Sequence, residues 1–223
     1  DEEINTVLIK YFDYDGTLHN CAKIYVPAFR VGYKYLTESG LADYKFYSDE
    51  EVSAYLGLSV KDMWEKFMPE LADNEMLKCS KIISDAMLAD IRTGRASLYD
   101  GTEETLKTLS EQGYRMIFLS NCMHDYMEEH KKAMKLNRFF SGFYCTDDFN
   151  MKPKYEIFET IRNNYDGDFI VIGDRYLDLQ IAEKHNLKSI GCAYGYGSRE
   201  ELRYADIIVD SVTQIPEALK SII

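Results

Sequence analysis

The stretch Val7-Leu8-Ile9-Lys10-Tyr11-Phe12-Asp13-Tyr14-Asp15-Gly16-Thr17-Leu18 decides the fold. Residues 7–12 are mostly β-branched, aromatic or aliphatic, the composition of a strand buried on both faces. The run then stops at two carboxylates, a glycine and a hydroxyl. Open parallel sheets place their ligands outside the carboxyl ends of their strands, so two acids there mark a candidate active site. In an extended chain Asp13 and Asp15 share one face. Like charges that close call for a cation or a shared proton. The plainer alternative is a strand entering an Asp-Gly turn, as hairpins do.

Beyond this segment the pattern changes twice. Residues 20–94 read as helical, with Ala28, Val31, Tyr35 and Leu36, and later Met76, Ile82, Ile83, Met87, Leu88 and Ile91, near helical spacing. Ser48 suits a helix start and Gly94 a helix stop. Trp64, Phe67 and Met68 read as the core of this block. From residue 99 helices and strands alternate. Helices are expected near 101–112, 124–136, 154–164, 176–185 and 213–221, and strands near 114–119, 143–145, 169–172, 188–192 and 206–209. Alternation of this kind implies a parallel sheet covered on both faces. The helical block is then an insertion, a lid over the carboxyl end of the sheet beside Asp13 and Asp15.

Three further strand ends carry polar groups. Leu119 is followed by Ser120 and Asn121, which with free backbone N–H groups can donate to an anion or simply cap a helix. Met151-Lys152-Pro153-Lys154 places Lys152 ahead of a proline that fits a first helical turn. That lysine either neutralises a phosphate or is solvated. Ile172-Gly173-Asp174 ends the next buried strand, and Asp178 lies one turn along the following helix. Two carboxylates so placed suit a hard cation such as Mg²⁺, which takes one or two carboxylates plus waters and substrate phosphate. Each piece has an ordinary explanation, a turn, a helix cap or a solvated side chain. The four strand ends together are far more specific.

The 223 residues carry a formal net charge of −12 with no run of Lys and Arg, which argues against a nucleic-acid partner. Small phosphorylated substrates remain compatible through one local cationic pocket. No apolar run reaches the length of a membrane span. Five cysteines, none in C-x-x-C spacing, predict reduced thiols in a cytoplasm. The four histidines show no metal-ligand spacing, although His19 borders the opening motif.

In this order, Asp13-Tyr14-Asp15-Gly16-Thr17, Ser120-Asn121, Lys152 and Gly173-Asp174 with Asp178 resemble the four motifs of the haloacid dehalogenase-like hydrolase superfamily. The tail Gly195-Tyr196-Gly197-Ser198-Arg199-Glu200-Glu201-Leu202 resembles its phosphoglycolate-phosphatase-like branch. The resemblance implies an α/β fold: a Rossmann-like three-layer core of residues 1–18 and 95–223, with an all-helical cap of residues 19–94. It implies a Mg²⁺-dependent phosphatase acting through an aspartyl phosphate, with Asp13 as nucleophile and Asp15 as acid and base. Asp13, Asp15 (through its carbonyl), Asp174 and Asp178 would serve the metal. Gly16, Thr17, Ser120, Asn121 and Lys152 would bind the phosphoryl oxygens. In related dehalogenases a tyrosine stands at the position of Asp15, so the second acid favours phosphate. The expected substrate is a small phosphorylated metabolite, phosphoglycolate among the candidates, with a phosphosugar mutase as the alternative and a monomer or small homo-oligomer as the assembly. Cys122 and Tyr155 depart from the family pattern, and Asn20 and Cys21 border the cap.

Overall fold

In the computed structural model, residues 8–222 are described. Six parallel strands, β1 (Leu8–Phe12), β2 (Arg115–Ser120), β3 (Phe140–Cys145), β4 (Asp168–Gly173), β5 (Lys188–Cys192) and β6 (Ile207–Val209), form one sheet in the order β3-β2-β1-β4-β5-β6. The strand is expected over 6–12, and its positions 6 and 7 lie outside the described residues. The expected β3 was short; it begins three residues earlier, at Phe140. Alternation along the strands builds two cores. Phe12, Phe118, Ile172 and Ile190 belong to one face. Ile9, Tyr11, Ile117, Leu119 and Val171 belong to the other.

The second face is covered by α7 (Lys154–Ile161) and α8 (Tyr176–His185), which contribute Ile157, Phe158, Ile161 and Ile181. The first is covered by α5 (Thr102–Glu111), α6 (His124–Ala133) and α9 (Ile215–Ile222), through Leu106, Leu109, Met127, Ile215 and Leu219. Helices α6 and α7 end sooner than their apolar patterns suggested. Each gives way to a single 3₁₀ turn, Leu136–Arg138 and Arg162–Asn164.

Between β1 and α5 the chain makes four helices: α1 (Ala22–Glu38), α2 (Asp49–Ser53), α3 (Val60–Phe67) and α4 (Asp73–Arg92). Ser48 caps α2 through the full reciprocal box with Glu51. This block has its own apolar core, with Phe29, Leu36, Trp64 and Ile83. Trp64 directs its indole N–H to Ser80 at 2.7 Å, and Phe67 packs edge-on against Phe29. Trp64 and Phe67 are thus packing residues. At their base α1 and α4 reach the sheet core through Ile24 and Ile91.

Candidate active site

Strand order reverses between β1 and β4, and crevices at such a switch point are where open α/β sheets bind ligands. Asp13 follows β1 and stays registered with β4 by donating its N–H to the Ile172 carbonyl at 2.9 Å. Asp174 follows β4, and Asp178 lies in the first turn of α8. All three carboxylates are buried, with oxygens within 4.8 Å of one another. Burial and the neighbouring Asp178 push the Asp13 carboxyl well above its usual range, against the pull of Lys154. Burial and Asp178 likewise raise Asp174 to about 7. Buried acids that resist ionisation are relieved by a cation. The all-oxygen donor set fits a hard divalent metal.

Asp174 is held by several groups at once. The Tyr196 N–H donates to it at 2.7 Å and the Thr17 hydroxyl at 3.2 Å. Gly16 has φ +90°, and a Cβ there would lie 2.2 Å from Asp174 Oδ2. Gly195 would crowd the same carboxylate, with a Cβ 2.3 Å from Asp174 Cβ. Only glycine lets both loops approach so closely. Thr17, expected to bind phosphoryl oxygen, instead has its buried hydroxyl committed to Asp174. Asp178 accepts the Arg175 N–H at 3.0 Å.

The third motif is relocated. Lys152 is exposed, whereas Lys154 is buried and places its ammonium 2.5 Å from Asp13 Oδ1 and 2.6 Å from Asp178 Oδ1. The two carboxylates raise the Lys154 pKa against the opposing effect of burial. The reason is local. Asn150 and Met151 both adopt left-handed backbone (φ 55° and 58°), and Pro153 is the extended N-cap of α7. Lys154 therefore opens the helix on the same stripe as Ile157, Phe158 and Ile161, facing the sheet. That spacing is visible in the sequence and was the signal that would have found it.

Asp13 and Asp15 also diverge. Strand β1 stops at Phe12. The N–H groups of Thr17, Leu18 and His19 then close onto the Tyr14 carbonyl at 3.2, 2.9 and 2.9 Å. Asp15 thus turns away from the metal-type cluster. Its Oδ1 meets His19 Nδ1 at 2.7 Å and accepts from the Tyr126 hydroxyl at 2.8 Å. Burial pushes the Asp15 carboxyl up, but the His19 and Tyr126 hydrogen bonds and the His19 charge outweigh it and hold it below the ordinary value. With both anchors on Oδ1, Oδ2 has no protein partner among the described hydrogen bonds. Behind lies His130, its Nδ1 2.9 Å from the Tyr14 hydroxyl. Burial lowers the His130 pKa to about 3, so it is a neutral packing partner. Tyr126 carries no sequence signal for this role, because it comes from α6, whereas His19 lies only four residues after Asp15 and its place beside the motif is the signal that points to it.

Ser120 is buried at the end of β2, and Asn121 donates to the Gly57 carbonyl of the cap at 3.4 Å. Both line a small cavity with Asp13, Asp15 and Lys154. Arg175 closes the opposite side. Its guanidinium donates to the Leu56 carbonyl at 2.5 Å and to Glu201 at 2.9 Å. The turn 54–59 thus touches the core on two sides of the acids. Lys61 is solvated, 82% exposed and 3.6 Å from Glu65.

The model of the haloacid dehalogenase-like hydrolase family matches residues 11–192. Among curated proteins the chain is 26% identical over 209 residues to a pyrophosphatase of Anoxybacillus flavithermus, covering 89% of this chain and 88% of the relative. Among solved structures it resembles a predicted phosphatase from Clostridium acetobutylicum, with TM-score 0.81, 22% identity and coverage of 97% and 99%. It also resembles a predicted phosphoglycolate phosphatase from Haemophilus somnus, with TM-score 0.80, 19% identity and coverage of 97% and 99%. The match extends from the opening strand to β5 and spans every strand end that supplies the acids and Lys154, so the chain belongs to the haloacid dehalogenase-like hydrolases.

Proposed function

We propose that this hydrolase removes phosphate from a small phosphorylated metabolite with Mg²⁺, through an aspartyl phosphate on Asp13. The observation that carries the reading is the pairing of a buried three-carboxylate cluster holding Lys154 with a second, separately anchored acid, Asp15. Core residues 1–18 and 95–223 would supply the chemistry and residues 19–94 the cap. Asp13, Asp174, Asp178 and the Asp15 carbonyl would hold Mg²⁺, which when bound supplies charge neutralisation for the phosphoryl oxygens. Lys154 stands in the position expected of Lys152, and its ammonium would stabilise the same charge as the phosphoryl group transfers. Ser120 and Asn121 would bind phosphoryl oxygens, whereas the Gly16 N–H, expected to join them, is committed to the His19 carbonyl at 2.9 Å.

An Asp13 oxygen attacks phosphorus while the ester P–O bond breaks. Asp15, ionised in the free site, takes up a proton as the anionic ester binds beside it and gives that proton from Oδ2 to the departing alkoxide. Asp15 then takes a proton from water as the water oxygen attacks the aspartyl phosphate, which releases inorganic phosphate and restores Asp13. His19 and Tyr126 keep Asp15 aimed at the leaving oxygen. Five free buried thiols favour a reducing cytoplasm. Among the described residues no helix is long and apolar enough to cross a membrane.

Asp13→Asn, nearly isosteric, should abolish phosphate release from acetyl phosphate while circular dichroism stays native. Chelation should stop the wild-type reaction and added Mg²⁺ should restore it. Turnover by the variant, or indifference to chelator, overturns the reading.

A further inference from the structure

A cavity of about 160 Å³ opens beside Asp15, between the cap and the core. By comparison with a known apolar cavity near 150 Å³ that holds benzene, it is about the size for one ring. Tyr25, Leu56, Met63, Ile83 and Met87 form its cap side, and Met123 and Tyr126 part of its core side. Its other polar groups are uncharged hydroxyls, thiols and an amide. Among the described residues lining it, Asp15 is the one ionisable carboxylate and there is no lysine, arginine or histidine. The nearby cations are engaged elsewhere: Lys154 on Asp13 and Asp178, Arg175 on Glu201 and the Leu56 carbonyl, and Lys61 with Glu65 in solvent. Lys152 lines a different cavity that Asp15 does not border.

We propose that the substrate is a phosphate monoester whose leaving alcohol is uncharged, largely apolar and about the size of one ring, seated in this cavity with its ester oxygen at Asp15. This deepens the phosphatase reading and rests on it. The leaving oxygen must reach the proton donor, so the leaving group occupies the space on the Asp15 side. A carboxylate, as on phosphoglycolate, or a second phosphate, as on pyrophosphate or a sugar bisphosphate, would be desolvated there with no counter-charge and against Asp15. Apolar walls with a few uncharged hydroxyls instead reward an apolar body, as in small-molecule sites generally. The same deficit of cations argues against the bisphosphate intermediate that a phosphosugar mutase needs.

The test measures kcat/KM of the wild-type protein with Mg²⁺ on benzyl phosphate, phosphoglycolate and pyrophosphate. Acetyl phosphate reports the Asp13 chemistry with little demand on the cavity. Benzyl phosphate should be preferred over both charged substrates by at least about tenfold, the scale on which apolar pockets discriminate. Met87→Lys, which places an ammonium in the wall, should narrow that preference by about tenfold, read as the ratio of kcat/KM on benzyl phosphate to that on phosphoglycolate within the same preparation. Equal or greater kcat/KM on phosphoglycolate or pyrophosphate overturns the proposal and leaves the phosphatase reading standing. A wild-type protein inert towards all four, acetyl phosphate included, overturns the phosphatase reading and this inference with it.

Discussion

At the scale of single residues, two lysines separated by one proline have opposite surroundings. Lys154 neutralises two buried acids, whereas Lys152 lies in solvent. Lys154→Met should lower kcat by about 10²–10³-fold, the loss typical when one preorganised charge-stabilising group is removed. Lys152→Met should leave steady-state kinetics within about twofold, as an exposed surface change. Equal effects of the two would contradict the assignment. The motif Lys-Pro pointed to Lys152 because it reads order along the chain. The helical stripe 154, 157, 158, 161 points to Lys154 because it reads direction in space. The two left-handed residues before Pro153 decide between them, and neither Asn150 nor Met151 announces that conformation.

At the scale of elements, β1 is the central strand and carries a buried charge. Lys10 is inaccessible to solvent, and its ammonium has no hydrogen-bond partner among the described residues. It sits 4.6 Å from the centroid of the Tyr114 ring, which compensates in part. Burial lowers its pKa to about 8, partly opposed by Asp168. The sign follows from linkage. Between about 8 and the unfolded value near 10.5 the unfolded chain binds more protons, so stability rises with pH there and is lost as pH falls through 8. Lys10→Met should therefore raise stability by about 1–3 kcal/mol at pH 7 and flatten that rise. Urea unfolding at pH 7 and pH 10 checks both. Outside this residue, the strand is an ordinary two-sided buried strand, and its type was readable from composition alone. So were α8 and β5, whose boundaries match their apolar patterns. The ends of α6 and α7 were not, because each helix runs into a 3₁₀ turn with no proline or glycine to mark where the α-helical hydrogen bonds stop.

At the scale of the whole molecule, the cap is tied to the core beside the chemistry. Arg175 joins the Leu56 carbonyl in the cap to Glu201 beyond β5, and Asn121 reaches Gly57 from the other side. A Cβ at Gly57 would come 2.8 Å from the Arg175 side chain, so the turn packs directly on this arginine. Arg175→Ala should loosen the cap without touching the three-carboxylate cluster. The expected result is KM raised by about tenfold with a smaller change in kcat, since closing segments commit the substrate and exclude water. Protease cleavage within 54–59 should become faster, and unchanged KM with unchanged cleavage would contradict the role.

The sequence alone determined the α/β order, the helical insertion and the acids at the strand ends. Those features follow from periodicity and composition, which are properties of neighbours along the chain. Tertiary structure alone decided what each polar group faces. It turned Asp15 from Asp13 towards His19 and Tyr126, gave Thr17 to Asp174, and exchanged Lys152 for Lys154. It also formed a cavity beside Asp15 with no lysine, arginine or histidine among its described lining, from cap and core residues far apart in sequence. The physical reason is that hydrogen bonds and desolvation act across space, between segments whose separation along the chain carries no signal of their meeting.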